Sequence, residues 1–345
     1  MHLGKSAEMA TKPLSTMNSI YDIAEGLGVS ASTVSRVLNN REGVGPTTRQ
    51  RVLDVARQAG FRPRMTARQV TVAVVVDRLQ YGAFGGFVPR LLSELVQVLS
   101  RRDVAVELCT EQSLERLQER LIDGVLAMAW DDTTINRLKR LNDVPTVTIN
   151  RMDVPAFSAV ATDHYQDGAT AVRYFAGRGH TRLAMICEER HNWGSVQRVN
   201  GFRQQAADLG IEIDERLIVY TEHQPLYGLL PRLLAEGPTA IFVANESLGL
   251  EVAYILRDVL RVRVPDDVSL MGMESPLVSQ FLSPPLTAIA QPLDELADTA
   301  LEILMNQITT GTTQPIHTTL RNKLIERESV ATLPAVVQNE TEQFR

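Results

Sequence analysis

Short polar side chains and one arginine lie near the N-terminus of the chain, on one side of a predicted helix. Thr33, Ser35 and Arg36 fall on the face opposite the apolar Val34 and Val37. A guanidinium can bind guanine or phosphate, and hydroxyl and amide groups hydrogen-bond phosphate oxygens. The side chains in the segment that we expect to make such contacts are Tyr21, Thr33, Ser35, Arg36, Asn39 and Thr48. Their chemistry favours contact with double-stranded DNA.

Three short helices must position these side chains. Ser19 can cap the first helix and Gly28 ends it. Ser30 can cap the second helix, and the third has Pro46 at its first position and ends at Gly60. Two helices joined by a tight glycine turn are typical of a helix-turn-helix. The same spacing also fits a generic helical module with solvated arginines.

The charge of this segment differs from the charge of the rest of the chain. The 345 residues include 35 Lys and Arg against 41 Asp and Glu, a net charge of −6. Residues 17–70 contain eight Arg, no Lys and four acidic residues, and residues 1–16 add a charge of +1, so the remainder carries −11. A small basic head on an acidic body confines DNA binding to the head, because the body repels phosphate.

Several classes of protein are excluded by composition. Cys109 and Cys187 are too few for a disulfide framework or a zinc cluster, which favours a reducing cytoplasm. The first 16 residues lack the apolar core of a signal peptide, and no apolar run approaches the roughly 20 residues of a membrane span. We therefore expect a cytoplasmic protein without a membrane partner.

Enzyme chemistry is not indicated. The glycines at 82, 85 and 86 do not form G-x-G-x-x-G, and G-x-S-x-G, H-E-x-x-H and P-loop motifs are lacking. We expect no catalytic residues, no metal site and no cofactor. Two rival interpretations are therefore disfavoured. A dehydrogenase built on parallel sheets would need a cofactor-binding loop, and the solute-binding protein of a transporter would need a signal peptide for export.

The body alternates short apolar runs with helical patterns from residue 72 onward. The predicted strands are 72–76, 104–108, 124–129, 146–149, 183–187, 240–244 and 268–273. The predicted helices are 91–99, 114–121, 168–176, 199–209, 248–260 and 293–308. This alternation predicts parallel sheets covered by helices, and the length suits two lobes. Ligands then bind between the lobes, at the carboxyl ends of the strands.

The head resembles the DNA-binding domain of the lactose-repressor (LacI) family of bacterial transcription regulators. The resemblance is carried by "VSASTVSRVLN" and "TRQRVLDVARQAGFRP", which are long and contiguous. It implies that Ala31 and Ser32 occupy base-reading positions. It also implies DNA-contacting roles for Thr33, Ser35, Arg36 and Asn39.

The segment 63–70 leaves two interpretations open. The family resemblance implies a hinge helix that enters the minor groove, but this segment is several residues shorter and contains no Leu. Met65 could wedge a base step in its place. Alternatively the segment is a plain basic linker in which Arg64 and Arg68 touch phosphate.

The body is similar to the periplasmic-binding-protein-like (type I) effector domain of the same family. The stretches "YFAGRGHTRLAMI", "SVQRVNGFRQQAADLGI" and "AIFVANESLGLEVAYILR" carry this similarity. Asn150, Glu246 and Glu274 stand where the family has Asp, which argues against a standard hexose as ligand. The effector-binding residues that the resemblance implies are Phe84, Asn150, Asp163, Trp193, Arg198, His223, Asn245 and Glu274.

We therefore expect a multi-domain protein: an all-α helix-turn-helix head and a two-lobed α/β body with parallel sheets. The expected divisions are a flexible leader (1–16), the DNA-binding domain (17–62), a short linker (63–70), the effector-binding and dimerisation domain (71–330) and a tail (331–345). Within the body, the N-lobe comprises 71–162 and 292–320, and the C-lobe comprises 163–291 and 321–330. The expected function is that of a homodimeric, operator-binding transcriptional repressor controlled by a small molecule, such as a sugar or related polar metabolite.

Overall fold

The computed structural model describes residues 19–39, 41–59, 61, 69–77, 86–119, 122–141, 144–222 and 224–334. The predicted leader (1–16) lies outside the described residues, as do most of the linker and residues 335–345 of the tail. Gly60, the predicted end of the third helix, is also outside them.

The head has the three predicted helices, α1 (Ile20–Leu27), α2 (Ala31–Leu38) and α3 (Pro46–Gln58). Both predicted N-caps are confirmed, because Ser19 Oγ accepts from the Asp22 amide and Ser30 Oγ from the Thr33 amide. Gly28 ends α1 at φ +65°, in the left-handed region that favours glycine. The core of the head consists of Ile23, Ala24, Val34, Val37, Leu38, Val52, Leu53 and Ala56.

The body consists of twelve strands among the described residues, with helices between them. In chain order the strands are β1 (Thr71–Val76), β2 (Ala105–Thr110), β3 (Gly124–Met128), β4 (Thr146–Ile149), β5 (Ser158–Thr162), β6 (Leu183–Cys187), β7 (Ile218–Tyr220), β8 (Ala240–Val243), β9 (Ser269–Met273), β10 (Thr287–Ala290), β11 (His317–Leu320) and β12 (Lys323–Ile325). The helices are α4 (Phe87–Arg101), α5 (Asp132–Leu138), α6 (His164–Ala176), α7 (Trp193–Asp208), α8 (Leu226–Ala235), α9 (Glu246–Tyr254) and α10 (Leu293–Thr310).

These strands form two six-stranded sheets, each the centre of a lobe. The first-lobe sheet has the order β11-β5-β4-β3-β1-β2, and all its neighbouring strands are parallel. The second-lobe sheet has the order β12-β10-β9-β8-β6-β7, in which only β12 is antiparallel to its neighbour. The predicted parallel architecture is confirmed. The chain crosses between the lobes after β5, after β10 and after β11, so the lobes are interleaved.

Both faces of each sheet are covered by apolar side chains. In the first lobe, Leu95 of α4 and Leu301 of α10 belong to one buried cluster with Val74 and Val147. The inner strands β1 and β3 are buried along almost their whole length, as expected for parallel strands with helices on both sides. The rigid sheets therefore fix the positions at which their carboxyl ends open into the space between the lobes.

Some elements differ from the sequence prediction. The strands β5, β7, β10, β11 and β12 were not predicted, since each is only three to five residues long. Nor was α8, whose interior contains Pro231. The predicted helix 114–121 is a 3₁₀ helix at Glu111–Glu119, and the predicted helix 248–260 continues beyond α9 as a π-helical turn at Ile255–Val259.

Membrane-spanning helices and metal-binding clusters are not found within the described part of the chain. None of its helices combines the length and apolar character needed to cross a bilayer. No cluster of His, Cys, Asp and Glu suited to a metal ion occurs among those same residues. Cys109 and Cys187 are buried and form no disulfide, and burial raises the pKa of Cys187 to about 12, so this thiol is unreactive.

Candidate functional site

The candidate DNA-binding residues lie mainly on α2, with Tyr21 in α1 and Thr48 in α3. Tyr21 is 69% exposed, and Ser32, Arg36 and Asn39 are also exposed. Ala31, Thr33, Ser35 and Thr48 are partly exposed. The structure thus brings all eight predicted residues to accessible positions on one small domain.

Local hydrogen bonds order the two ends of α2. At its start, Ser30 Oγ lies 2.8 Å from both Ser32 Oγ and Thr33 Oγ1. At its end, Nδ2 of the Asn39 side chain donates to the Ser35 carbonyl oxygen at 2.8 Å. These contacts restrict the conformations of the polar side chains at both ends of α2.

Gly43 positions Arg36 and was not singled out in the sequence. Its φ is +94°, and a Cβ at this position would lie 3.2 Å from Arg36 Nη1. Glycine therefore lets the loop after α2 pass close to the guanidinium. The signal in the sequence is the glycine itself, seven residues after the arginine.

A cleft of about 310 Å³ lies between the two lobes of the body. Its walls come from the carboxyl ends of β4, β6 and β8 and from the N-termini of α4, α7 and α9. Its lining residues are Gly86, Phe87, Val88, Trp130, Asn150, His164, Glu188, Asn192, Gly194, Ser195, Arg198, Ala244, Asn245, Glu246, Ser247, Leu248, Met273 and Gln291. This is the crevice at which open parallel sheets bind ligands.

Two asparagines fix the helix N-termini at the second-lobe wall. Asn192 Oδ1 accepts from the Ser195 amide at 3.2 Å and caps α7. Asn245 Oδ1 accepts from the Leu248 amide at 3.1 Å and caps α9, while its Nδ2 donates to Glu188 Oε2 at 2.9 Å. The remaining free amides of these helix starts and the partial positive charge of each terminus favour ligand oxygen atoms.

Arg198 is held at the floor of the cleft by buried partners. Its Nε donates to Asp167 Oδ2 at 3.0 Å, and its Nη2 donates to His164 Nδ1 at 2.8 Å. Asp167 Oδ1 accepts from Asn322 Nδ2 at 2.6 Å. Because a guanidinium only donates, His164 Nδ1 must be unprotonated. Burial and the Arg198 charge lower the pKa of His164 to about 4, so it is neutral at pH 7.

Asp167 balances the charge of Arg198. Burial tends to raise the pKa of Asp167, but the charge of Arg198 and the hydrogen bond from Asn322 hold it below the ordinary value. Asp167 is therefore ionised and Arg198 is paired. The pair of Arg198 and Asp167 carries little net charge, and Arg198 reaches the cleft as a hydrogen-bond donor that this contact holds in place.

Close contact between α6 and α7 makes this arrangement possible. A Cβ on Gly168 would lie 1.9 Å from the Arg198 carbonyl oxygen, and a Cβ on Gly201 would lie 1.9 Å from the Tyr165 carbonyl oxygen. No larger residue fits at either position without separating the helices. The two glycines thus bring His164 and Asp167 of α6 within hydrogen-bonding distance of Arg198.

Asn150 lies where two of the interlobe crossings meet. Its φ is +55°, and its Oδ1 accepts from the Thr162 amide at 2.9 Å. Its Nδ2 donates to Gln291 Oε1 at 2.9 Å, and the same oxygen accepts from Thr162 Oγ1 at 3.0 Å. Asn150 therefore connects the ends of β4, β5 and β10 at the edge of the cleft.

The structure brings only part of the predicted effector-binding set to the cleft. Asn150, Arg198 and Asn245 line it. Phe84 and His223 lie outside the described residues. Asp163, Trp193 and Glu274 do not line it.

Each of these three side chains is engaged elsewhere. Asp163 caps α6 by accepting from the Gln166 amide and lies in a separate cavity. The Trp193 ring packs edge-on against His164, with centroids 5.3 Å apart. Glu274 is bound by both terminal nitrogens of Arg327 at 2.8 Å.

Several lining residues were missed by the sequence reasoning. His164 and Gln291 follow β5 and β10, two strands that were not predicted. Glu188 directly follows the predicted strand at 183–187, so the rule that ligands bind at carboxyl ends could have found it. Phe87 and Trp130, whose ring centroids are 6.4 Å apart, come from first-lobe segments without a motif.

Comparison with known proteins agrees with this architecture. Residues 19–64 match the model for bacterial regulatory proteins of the lacI family, and residues 172–330 match that for a periplasmic binding protein-like domain. The chain is 31% identical over 329 residues to the HTH-type transcriptional regulator CelR of Thermobifida fusca, covering 89% of this chain and 96% of that protein. It is 28% identical over 342 residues to the HTH-type transcriptional repressor PurR of Histophilus somni, covering 92% and 100%.

A solved structure is also similar along most of the chain. The structure described as the transcriptional regulator CelR–cellobiose complex superimposes with a TM-score of 0.69 at 29% identity, covering 90% of this chain and 99% of that one. The helix-turn-helix head, the two interleaved lobes and the similarity over nearly the full length agree with one another. The chain belongs to the lacI family of bacterial transcriptional regulators.

Proposed function

We propose that this regulator is an operator-binding repressor whose DNA affinity is controlled by a small polar molecule bound between the lobes. The observation that carries the proposal is the cleft of about 310 Å³, in which a pre-positioned arginine and two helix N-termini converge. A ligand that contacts both lobes changes their preferred angle and thereby couples to the heads. Such coupling is typically worth about 1–3 kcal/mol.

The charges of the cleft favour a neutral, hydroxyl-rich ligand such as a sugar or related polyol. The charged lining residues are Glu188, Arg198 and Glu246, and Arg198 is already balanced by Asp167. A phosphate or carboxylate group would find no unpaired cation among the described lining residues, because Arg198 is bound to Asp167. Phe87 and Trp130 offer apolar ring surface against which the carbon face of a sugar can pack. The cellobiose named with the related CelR structure supports this ligand class.

The roles of individual residues in the cleft follow from their geometry. Arg198 donates to a ligand hydroxyl, and Asn150 and Asn245 contribute at the opposite walls. Phe84 and His223 remain candidates from the resemblance. For Asp163, Trp193 and Glu274 we propose indirect roles, because each already holds a neighbouring group.

On the DNA side, the exposed face of α2 enters the major groove. Ala31 offers a methyl contact to thymine, and Ser32 offers one hydroxyl hydrogen bond. Arg36 reaches guanine or phosphate. The remaining polar residues position the head on the backbone, namely Tyr21, Thr33, Ser35, Asn39 and Thr48.

The active form is proposed to be a homodimer with two heads on a pseudo-palindromic operator, since symmetric half-sites need a symmetric protein. Large apolar side chains are exposed on both lobes, which supports pairing with a second copy. They include Leu277 and Phe281 of the second lobe, 83% and 76% exposed, and Leu108 on the edge strand β2. We further propose that the protein acts in the cytoplasm and without catalysis, with the domain boundaries expected from the sequence.

The test combines DNA selection with ligand screening. The full-length protein is used to select sites from random duplex DNA, and the recovered site and a scrambled control are compared over a salt series. We expect tighter binding to the selected site at every salt concentration, and a log–log salt slope that reflects several phosphate contacts. A thermal-shift screen of neutral sugars, sugar phosphates and carboxylates identifies the ligand, which must then change operator affinity. Equal binding to both DNAs would refute the proposed operator-specific repressor. A ligand that binds without changing operator affinity would refute the proposed control by a small molecule.

A further inference from the structure

Arg90 of the first lobe reaches across the mouth of the cleft to two groups of the second lobe. It lies in the first turn of α4, and its Nη1 donates to Glu246 Oε1 and to the Glu274 carbonyl oxygen, both at 3.1 Å. Glu246 begins α9, and Glu274 follows β9. Arg101, at the other end of the same helix, pairs instead with Asp298 within the first lobe.

Glu246 depends on Arg90 for its charge partner. Its side chain is only 5% exposed, and it lines the cleft. Burial raises the pKa of Glu246, and the neighbouring Arg90 opposes this effect. The nearby Arg327 does not serve Glu246, because both its terminal nitrogens bind the Glu274 carboxylate. Removing Arg90 would leave a buried carboxylate unpaired, which is costly.

The length of the Glu246 side chain is important for this contact. The family resemblance implies Asp at this position, and Glu is one methylene longer. The backbones also approach each other here: a Cβ on Gly86 would lie 2.8 Å from Ser247 Oγ. The start of α4 therefore touches the start of α9, beside the pair of Arg90 and Glu246.

We propose that Arg90 is a positioning residue of the cleft, which latches α9 to α4 through Glu246 and biases the ligand-free lobes towards the closed state. The latch lowers the cost of closure when a ligand binds. Its link to effector control rests on the proposed function, but the latch itself does not. It can therefore be tested in the absence of ligand.

The two tryptophans of the chain provide the reporter. Trp130 lines the cleft, whereas Trp193 packs against His164 in the second lobe. On a Trp193→Phe background, acrylamide quenching of the ligand-free full-length protein reports how accessible Trp130 is. We expect Arg90→Met and Glu246→Gln each to raise the quenching constant about twofold, and the double variant to raise it no further.

Two further variants complete the experiment. Glu246→Asp keeps the carboxylate but shortens its reach, and we expect it to raise quenching as Glu246→Gln does. Arg101→Met removes another arginine of α4, whose partner Asp298 lies in the same lobe, and should leave quenching unchanged. Urea unfolding of every variant separates an opened cleft from general loss of structure. If Arg90→Met fails to fold, the result for Glu246→Asp decides whether the latch exists.

Unchanged quenching in the Arg90 and Glu246 variants, or additive increases in the double variant, would overturn the latch. Neither outcome bears on DNA binding, so failure of the latch and failure of the repressor are distinguishable. A specific operator with no latch leaves the proposed function intact. A latch with no specific operator leaves only the interlobe contact.

Discussion

The DNA-binding head and the interlobe cleft hold their functional side chains in opposite ways. In the head these side chains lie within residues 21–48 and are at least partly exposed, and those of Ser32, Thr33 and Asn39 make hydrogen bonds to residues two to four positions away. In the cleft, Arg198 is buried and depends on His164, Asp167 and, through the latter, Asn322. The head presents its candidate DNA-contacting side chains on its surface, whereas the cleft holds its candidate ligand-contacting arginine in the core of the second lobe.

This difference has an energetic consequence. An exposed side chain that awaits DNA contributes little to folding, so its loss affects binding alone. A buried ion pair is different, because removal of one partner leaves an uncompensated charge in the interior. Changes in the cleft should therefore affect stability and ligand binding together, and changes on the head should separate them.

The largest effect is expected for Asp167→Asn. The substitution removes the carboxylate that balances Arg198 and places an amide near two donors, Arg198 Nε and Asn322 Nδ2. We expect the free energy of unfolding to fall by about 3–5 kcal/mol, measured by urea denaturation. Glu215→Gln is the control, since Glu215 pairs with Arg203 on the surface and should unfold like the wild type. If both variants unfold alike, the buried cluster is not the stabilising element described above.

A smaller effect, confined to DNA, is expected for Arg36→Ala. Loss of the guanidinium should weaken binding to the selected operator by about 1–3 kcal/mol and leave the free energy of unfolding within about 0.5 kcal/mol of wild type. Fluorescence anisotropy and urea denaturation measure the two quantities. Arg173→Ala, an exposed arginine of α6, is the control and should bind operator normally. A parallel loss of operator affinity and stability in Arg36→Ala would contradict the separation of function and folding in the head.

The same contrast explains what the sequence could predict. Caps, turn glycines and apolar spacing are local signals, so Ser19, Ser30 and Gly28 were assigned correctly and the three helices of the head followed. The long buried strands of the body were also visible as apolar runs. Short strands such as β5 and β12 were not, because neighbouring strands rather than their own residues stabilise them.

The cleft could be predicted only in part, for a reason of distance along the chain. Arg198, Asp167 and Asn322 are separated by 31 and 155 residues, and no local pattern marks them as partners. Glu274 illustrates the opposite error: its position after a strand suggested ligand contact, but Arg327 from another strand's end already binds it. Position at a strand end places a residue near the cleft, whereas only tertiary pairing decides which groups remain available to a ligand.

The last prediction uses pH to sharpen the comparison. The pKa of buried His164 is about 4, below the value of about 6.5 expected in the unfolded chain. The unfolded state therefore binds more protons between pH 6.5 and 4, so stability is full above pH 6.5 and is lost as the pH falls towards 4. For the wild type we expect the titration of His164 to lower the free energy of unfolding by about 1–2 kcal/mol when the pH is reduced from 7 to 5. His164→Asn retains an acceptor for Arg198 but cannot titrate, so its urea midpoint should depend less on pH over this interval. An equal pH dependence in both proteins would mean that His164 is not the buried neutral acceptor in the cleft. The cleft residue would then be uncoupled from folding stability, as the exposed residues of the head are expected to be.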